Sequence, residues 1–97
     1  MSREVAELQF ETGLLKNSDK SLLAALQYTE DIFGRQSDLW NFQRARYLVW
    51  DNGTDSESSE LGWFEEVDSL TRKIEQIRPR WHRLLQLKAL IAEERNQ

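Results

Sequence analysis

Residues that break helices are scarce in this chain, and this scarcity limits its fold more than any other feature. The 97 residues include one proline, Pro79, and four glycines. Between them, apolar residues recur every three or four positions, which places them on one face of an α-helix. Charged residues make up 31% of the chain, enough for broad solvated faces. The pattern predicts a single all-α domain over residues 1–97 and disfavours an all-β fold.

The apolar spacing predicts five helices. They cover about residues 2–17, 19–34, 38–51, 59–77 and 80–95. The turn Asn17-Ser18-Asp19 is expected to cap the second helix and Ser37-Asp38 the third, because a side-chain oxygen accepts a backbone N–H that has no partner within the helix. Gly34 is typical of a helix end with a positive φ. Pro79 suits the first turn of the fifth helix, and the stretch 51–59, which has no apolar residue, is expected to be a polar loop.

Each predicted helix has a set of apolar residues expected to face the core. These sets are Val5, Leu8 and Leu15; Leu22, Leu23, Leu26, Ile32 and Phe33; Leu39, Phe42, Ala45 and Val49; Leu61, Phe64, Val67, Leu70, Ile74 and Ile77; and Trp81, Leu84, Leu85, Leu87 and Ile91. Most of the predicted connections are too short to cross a domain, so consecutive helices should pack as antiparallel hairpins.

The first and third helices have apolar residues at matching positions. A shift of 34 residues aligns Leu8 with Phe42 and Leu15 with Val49, and a further shift of 43 aligns Phe42 with Leu85. The nine additional residues of the second shift correspond to the polar loop. The hairpin is therefore predicted to recur, which favours stacked hairpins over a helical bundle without repeats.

A helix–turn–helix unit of 34 residues resembles a degenerate tetratricopeptide repeat. The bulky, tyrosine-like, alanine and phenylalanine positions of that pattern correspond here to Leu8, Leu15, Ala24 and Tyr28 in one unit and to Phe42, Val49, Val67 and Thr71 in the next, with Pro79 at the closing proline. Glu11, Asp31 and Arg46 depart from the pattern. The resemblance implies a short α-solenoid with units at about 5–38, 39–81 and 82–97. It also implies a protein or peptide partner bound along the inner surface.

The third helix has a second stripe, formed by Trp40, Gln43, Tyr47 and Trp50. Aromatic side chains with a polar tip bury a large area at small entropic cost, as partner-binding residues do. We therefore expect this stripe to line a binding groove, unless the two indoles simply pack on neighbouring helices.

Glutamines at the equivalent positions of the three units extend this predicted site. They are Gln9, Gln43 and Gln86. A row of side-chain amides could pair with the backbone of a bound strand, because an amide both donates and accepts hydrogen bonds. Ordinary surface glutamines at matching positions are the alternative interpretation.

The composition disfavours a catalytic or metal-binding function. The chain has no cysteine, which excludes disulfides and thiolate metal sites. Its one histidine, His82, cannot form a metal site that needs two imidazoles. No carboxylate pair or activated nucleophile is evident, and we expect no cofactor, no metal and no enzymatic activity.

Charge is divided sharply along the chain, whose net charge is −4. Residues 51–68 hold seven acids and no base, whereas residues 72–88 hold six bases and one acid, Glu75. The basic block is formed by Arg72, Lys73, Arg78, Arg80, Arg83 and Lys88. A small nucleic-acid-binding domain that uses it is the alternative function, although the acidic total disfavours a polyanion and the two blocks could instead attract each other.

The location and assembly of the chain are also predicted from its apolar residues. No apolar run approaches the length of a membrane helix and no signal-peptide core is present, so a cytoplasmic protein or a fragment of a longer one is expected. A short solenoid leaves apolar faces at its ends. Self-association through the fifth helix, by Leu84, Leu87 and Ile91 or by Leu85, Ala89 and Ala92, is therefore predicted.

Overall fold

The fold is all-α, as predicted. A computed structural model describes residues 3–53 and 62–95, and within these ranges it contains five α-helices and no strand. The helices are α1 (Arg3–Lys16), α2 (Asp19–Phe33), α3 (Asp38–Gly53), α4 (Gly62–Ile77) and α5 (His82–Arg95). α1 packs on α2 and α3 packs on α4 as two hairpins, which meet through α2 and α3, while α5 packs on α3 and α4.

The predicted caps are confirmed at three helix ends. The hydroxyl of Ser18 accepts the N–H of Ser21 at 3.2 Å, and the hydroxyl of Ser37 accepts the N–H of Trp40 at 3.1 Å. Gly34 has a φ of +83°, and its N–H donates to the carbonyl of Glu30 at 2.9 Å. These caps occupy backbone groups at helix ends that have no intrahelical partner.

Two predicted boundaries are wrong. α3 continues through residues 52 and 53, beyond its predicted end at 51, while the predicted loop from residue 54 onward and the predicted start of α4 at 59 lie outside the described residues. α5 begins at His82 rather than at 80. Pro79 therefore lies in the turn before α5 and not in its first helical turn.

Most of the buried apolar residues belong to one of two clusters that meet at α3. The N-terminal cluster consists of Phe10, Leu22, Ala25, Leu26 and Tyr47. The C-terminal cluster consists of Phe42, Ala45, Leu48, Val49, Val67, Leu70, Ile74, Leu84, Leu87 and Ile91. α3 contributes to both clusters, and the side chain of Trp40 packs against both. The predicted core faces of α3, α4 and α5 are thus largely confirmed, although Ile77 and Leu85 are exposed and Leu61 lies outside the described residues. On α2, the predicted core residues Leu23 and Ile32 are exposed.

The predicted core face of α1 is wrong. Val5, Leu8 and Leu15 are 41%, 65% and 88% exposed, and the buried residues of α1 are Ala6, Phe10 and Gly13. The reason is close packing between α1 and α2: a Cβ at position 13 would lie 3.2 Å from the backbone nitrogen of Leu22. The small residues face the partner helix, so the aliphatic stripe points outward.

This orientation also affects the alignment of the repeats. A shift of 34 residues pairs the exposed Leu8 and Leu15 with Phe42 and Val49, which are buried. The two helices are therefore not equivalent at these positions.

Candidate partner-binding groove

The second stripe of α3 contacts the first hairpin. Gln43 is fully buried, and its amide nitrogen donates to the carbonyl of Ala6 in α1 at 3.2 Å. Its carbonyl oxygen accepts the hydroxyl of Thr29 in α2 at 2.7 Å. A single side chain therefore connects three helices through buried hydrogen bonds.

Tyr47 and Trp50 make further contacts with the same hairpin. The hydroxyl of Tyr47 donates to a carboxylate oxygen of Asp19 at 2.6 Å, and burial together with this hydrogen bond raises the pKa of Tyr47 to about 12. The indole N–H of Trp50 donates to the side-chain oxygen of Asn17 at 2.8 Å. The polar tips of both rings are thus engaged within the chain.

Trp40 has a different position, in an outer groove of about 410 Å³ between α2, α3 and α4. The guanidinium of Arg35 lies 5.6 Å from the centre of its ring. The groove is lined by Leu23, Leu26, Gln27, Glu30, Arg35, Trp40, Arg44 and Glu66. Trp40 therefore lines an open concavity, as predicted for the stripe.

A second concavity, which we call the inner groove, lies between α1, α3 and α5. It has a volume of about 280 Å³ and an apolar floor beneath charged and amide side chains. Its lining consists of Phe10, Glu11, Leu14, Phe42, Arg46, Arg83, Gln86, Leu87 and Leu90. The first helices of the two hairpins, α1 and α3, therefore meet α5 around this concavity.

The three predicted glutamines do not share a surface. Gln86 lines the inner groove, and its amide nitrogen lies 3.1 Å from a ring nitrogen of His82. Gln9 is exposed beside a shallow groove between α1 and α2, and Gln43 is buried. The predicted row of amides is therefore not formed.

Ion pairs join α1 to α3 and α5 beside the inner groove. Arg83 of α5 forms ion pairs with Glu11 and, at 3.5 Å, with Glu7 of α1. Arg3 bridges Glu7 at 3.2 Å and Asp38 at 2.8 Å. Burial alone would raise the pKa of Asp38, but hydrogen bonds and the charge of Arg3 outweigh burial and hold this pKa below its usual value.

The basic block predicted as a nucleic-acid patch is partly occupied by carboxylates. Arg78 pairs with Asp38 at 3.3 Å, and Lys88 pairs with Glu75. Since Arg83 is also paired, three of the six cations have acidic partners, and these partners lie outside the acidic stretch 51–68. Arg72, Lys73 and Arg80 are exposed.

The apolar spacing alone does not predict the inner groove, because most of the apolar residues that line it have the spacing of core residues. Phe42 was assigned to the core, and Phe10, Leu14 and Leu90 were not singled out. The sequence contains one signal of this groove. Residues that line it lie four positions apart, and therefore on one face, on the first helix of each predicted hairpin, as Phe10 and Leu14 do and as Phe42 and Arg46 do.

No group of three or more acidic, histidine or cysteine side chains in residues 3–53 and 62–95 is placed to hold a metal ion. In the same part of the chain, no helix has the length and apolar character needed to cross a membrane.

Comparisons with known proteins give no relative from which to transfer a function. No protein-family model, curated protein or solved structure matches the chain.

Proposed function

We propose that this chain is a protein-interaction or scaffolding module that binds a segment of a partner protein in the inner groove. The observation that carries the proposal is the hollow itself, with an apolar floor from α1, α3 and α5 and polar side chains at its edge. A floor of this kind buries an apolar side chain, and a polar edge fixes its orientation.

The size of the inner groove suits part of a peptide rather than a whole folded surface. A hollow of about 280 Å³ is at or below the lower end of the volumes usual for small-ligand pockets, about 300–1,000 Å³. We infer that one or two bulky apolar side chains enter it, while the amide of Gln86 pairs with the adjacent peptide backbone. Binding requires no cofactor.

The resemblance to tetratricopeptide repeats supports this proposal without establishing it. The helices that line the inner groove, α1, α3 and α5, are the first helices of the three predicted units. In an α-solenoid, stacked units form an extended concave surface that binds partners. The outer groove at Trp40 is the second candidate surface, because it holds a half-buried indole beside two leucines.

Selection of peptides from a random display library tests the proposal. Leu90 lines the inner groove and is half-buried, whereas Leu85 lies on the same helix outside that groove and is exposed. We expect peptides with a bulky apolar anchor to be enriched on the wild-type chain. We expect Leu90→Glu to weaken their binding at least about tenfold, which corresponds to about 1.4 kcal/mol.

Leu85→Glu is the matched control, because it introduces the same charge on the same helix away from the groove. Peptides that bind wild type and Leu85→Glu equally but lose affinity for Leu90→Glu would support the inner groove. Equal binding to all three proteins, or no enrichment, would contradict it.

Nucleic-acid binding is the second candidate function and has less support. Its remaining exposed cations are Arg72, Lys73 and Arg80. Phosphate contacts strengthen steeply as salt is lowered. We expect no binding of a single-stranded DNA or RNA oligonucleotide even at low salt, and salt-sensitive retention would instead favour this candidate.

A further inference from the structure

An ion pair joins two walls of the inner groove. Glu11 of α1 and Arg83 of α5 both line the groove, and the guanidinium of Arg83 donates a hydrogen bond to a carboxylate oxygen of Glu11. The two helices have their main packing contacts elsewhere, α1 with α2 and α5 with α3 and α4. The Glu11–Arg83 pair, which we call the clasp, therefore connects walls that pack chiefly on other helices.

A second carboxylate helps to hold Arg83 in this position. Its guanidinium lies 3.5 Å from the carboxylate of Glu7, which precedes Glu11 by about one helical turn. Glu7 is in turn paired with Arg3 at 3.2 Å, and Arg3 is paired with Asp38 at 2.8 Å. Alternating charges thus extend along α1 as far as the clasp, and they place Arg83 against α1 in the unbound chain.

The clasp is weak enough for a partner to break. Its arginine and glutamate side chains are 30% and 45% exposed, and ion pairs with such exposure contribute little to stability and are screened by salt. The inner groove holds about 280 Å³, whereas pockets that enclose a ligand usually hold about 300–1,000 Å³. A bulky apolar side chain therefore enters more easily when the walls of the groove move apart.

We propose that the clasp keeps the inner groove narrow, and that a partner segment separates Glu11 from Arg83 when its apolar side chain enters. This inference rests on the proposed function of the inner groove and adds a means of regulating it. The closed pair lowers the affinity for an uncharged partner segment about two- to fivefold. Conditions or substitutions that break the pair therefore strengthen binding, although they remove a contact within the chain.

The distance between the two walls tests the clasp without any ligand. The chain has no cysteine, so Leu15→Cys on α1 and Ala89→Cys on α5 provide two exposed positions for spin labels. Electron paramagnetic resonance measures the distance between the labels. We expect Glu11→Gln to lengthen or broaden this distance. Glu4→Gln, at an exposed acid of the same helix, is the matched control and should leave the distance unchanged.

Peptide affinity tests the consequence for binding. The probe is an uncharged peptide with a bulky apolar side chain, taken from the display selection, whose binding is weakened by Leu90→Glu. We expect Glu11→Gln and Arg83→Gln each to tighten its binding about two- to fivefold, because either substitution opens the clasp. The double variant should gain no more than one of the single variants, since both remove the same interaction. Glu4→Gln should bind as wild type does.

Ionic strength provides an independent test with the same peptide. Salt screens the clasp, so wild type should bind more tightly as the salt concentration rises from about 0.05 to 0.5 M. Glu11→Gln has no clasp to screen and should respond less. An equal response of the two proteins would count against the clasp.

Two further results would overturn the inference. Tighter binding by Glu11→Gln together with weaker binding by Arg83→Gln would show that Arg83 contacts the partner directly instead of closing the groove. A distance between labels that Glu11→Gln leaves unchanged would show that the ion pair does not set the width of the groove. A selection that enriches no peptide would contradict the proposed function instead, and the distance measurement would still decide whether the clasp exists.

Discussion

Buried polar side chains help to attach the first hairpin to the rest of the molecule. Gln43 and Thr29 have no exposed surface, yet each contributes to the hydrogen bonds between hairpins. An unsatisfied buried polar atom costs about 1–3 kcal/mol, more than a typical hydrogen bond contributes. The pair should therefore be strongly coupled.

A double-mutant cycle measures this coupling. We expect Thr29→Val to lower the free energy of unfolding by about 1–3 kcal/mol, because it leaves the carbonyl oxygen of Gln43 without its donor. Gln43→Leu should cost less, because the hydroxyl of Thr29 can still donate to the carbonyl of Ala25 at 3.0 Å, whereas the carbonyl of Ala6 loses the amide of Gln43. The double variant should cost at least about 0.5 kcal/mol less than the sum, by urea denaturation. Additive costs would show that the two side chains act independently.

The pH dependence of the free energy of unfolding is easiest to test at Asp38. Its carboxylate accepts from Arg3 and Arg78, and its pKa is lowered in the folded chain. A carboxyl group whose pKa is lower in the folded chain stabilises the fold at pH values above its unfolded pKa, about 3.9. This stability is lost as the pH falls through the folded pKa. Since both arginines are partly exposed, we expect Asp38→Asn to cost about 1–2 kcal/mol at pH 7.

The cost of Asp38→Asn should shrink as the pH falls below 4, because the wild-type carboxylate then becomes neutral as well. Urea denaturation at several pH values from about 7 to 2.5 measures this change. Glu93→Gln, on the exposed side of α5, is a control that should change stability by less than about 0.5 kcal/mol. A cost for Asp38→Asn that is the same at every pH would argue against an electrostatic origin.

At the scale of helices, local sequence predicts the capped ends, whereas the buried face of a helix also depends on the helix that packs against it. The hydroxyls of Ser18 and Ser37 and the positive φ of Gly34 depend on a few neighbouring residues, so these caps could be inferred from the sequence. The buried face of α1 could not. Val5, Leu8 and Leu15 have the spacing of a core stripe, but the approach of α1 to α2 depends on residues that are distant in sequence.

Gly13 gives this helix-scale effect a test. In an unconstrained helix, Gly→Ala stabilises by about 1 kcal/mol. Here the added Cβ would meet the side chain of Leu22 at 3.0 Å and its backbone nitrogen at 3.2 Å, so α1 and α2 would have to separate slightly. We expect Gly13→Ala to give no gain, and Gly13→Val to lower the free energy of unfolding by about 1–3 kcal/mol.

Gln9→Ala, on the exposed side of the same helix, controls for helix propensity in the Gly13 experiment. It should change stability by less than about 0.5 kcal/mol in thermal or urea unfolding. A gain of about 1 kcal/mol for Gly13→Ala would mean that the two helices adapt without cost and that close packing does not fix the face of α1.

For the molecule as a whole, the candidate site was harder to predict than the fold. A stripe of aromatic and amide residues on α3 has the composition of a partner-binding surface, and such a surface resembles a contact between two hairpins of one chain. Gln43, Tyr47 and Trp50 make the second kind of contact. Only the arrangement of all the helices distinguishes a partner-binding surface from such an internal contact. Of the six predicted binding residues, this arrangement places Gln86 alone at the inner groove.

The two apolar clusters should differ in stability. Among the described residues, the N-terminal cluster has five buried members, one of which, Tyr47, comes from α3, whereas the C-terminal cluster has ten. Because hydrophobic stabilisation scales with buried apolar area, α1 and α2 should open at a lower free energy than α3 to α5. Native-state hydrogen exchange should show this difference as faster exchange of the α1 and α2 amides. The comparison is made under conditions where the exchange rate in both halves reports the opening equilibrium.

Tyr47→Ala tests whether Tyr47 couples the two clusters. It removes a ring that packs in the N-terminal cluster and a hydroxyl that donates to Asp19, so we expect amide protection to fall by at least about tenfold in α1 and α2 and much less in α4 and α5. Leu84→Ala, in the C-terminal cluster, should instead lower protection throughout, because the first hairpin depends on α3 for its packing. Equal losses in both halves with Tyr47→Ala would mean that the molecule unfolds as one unit.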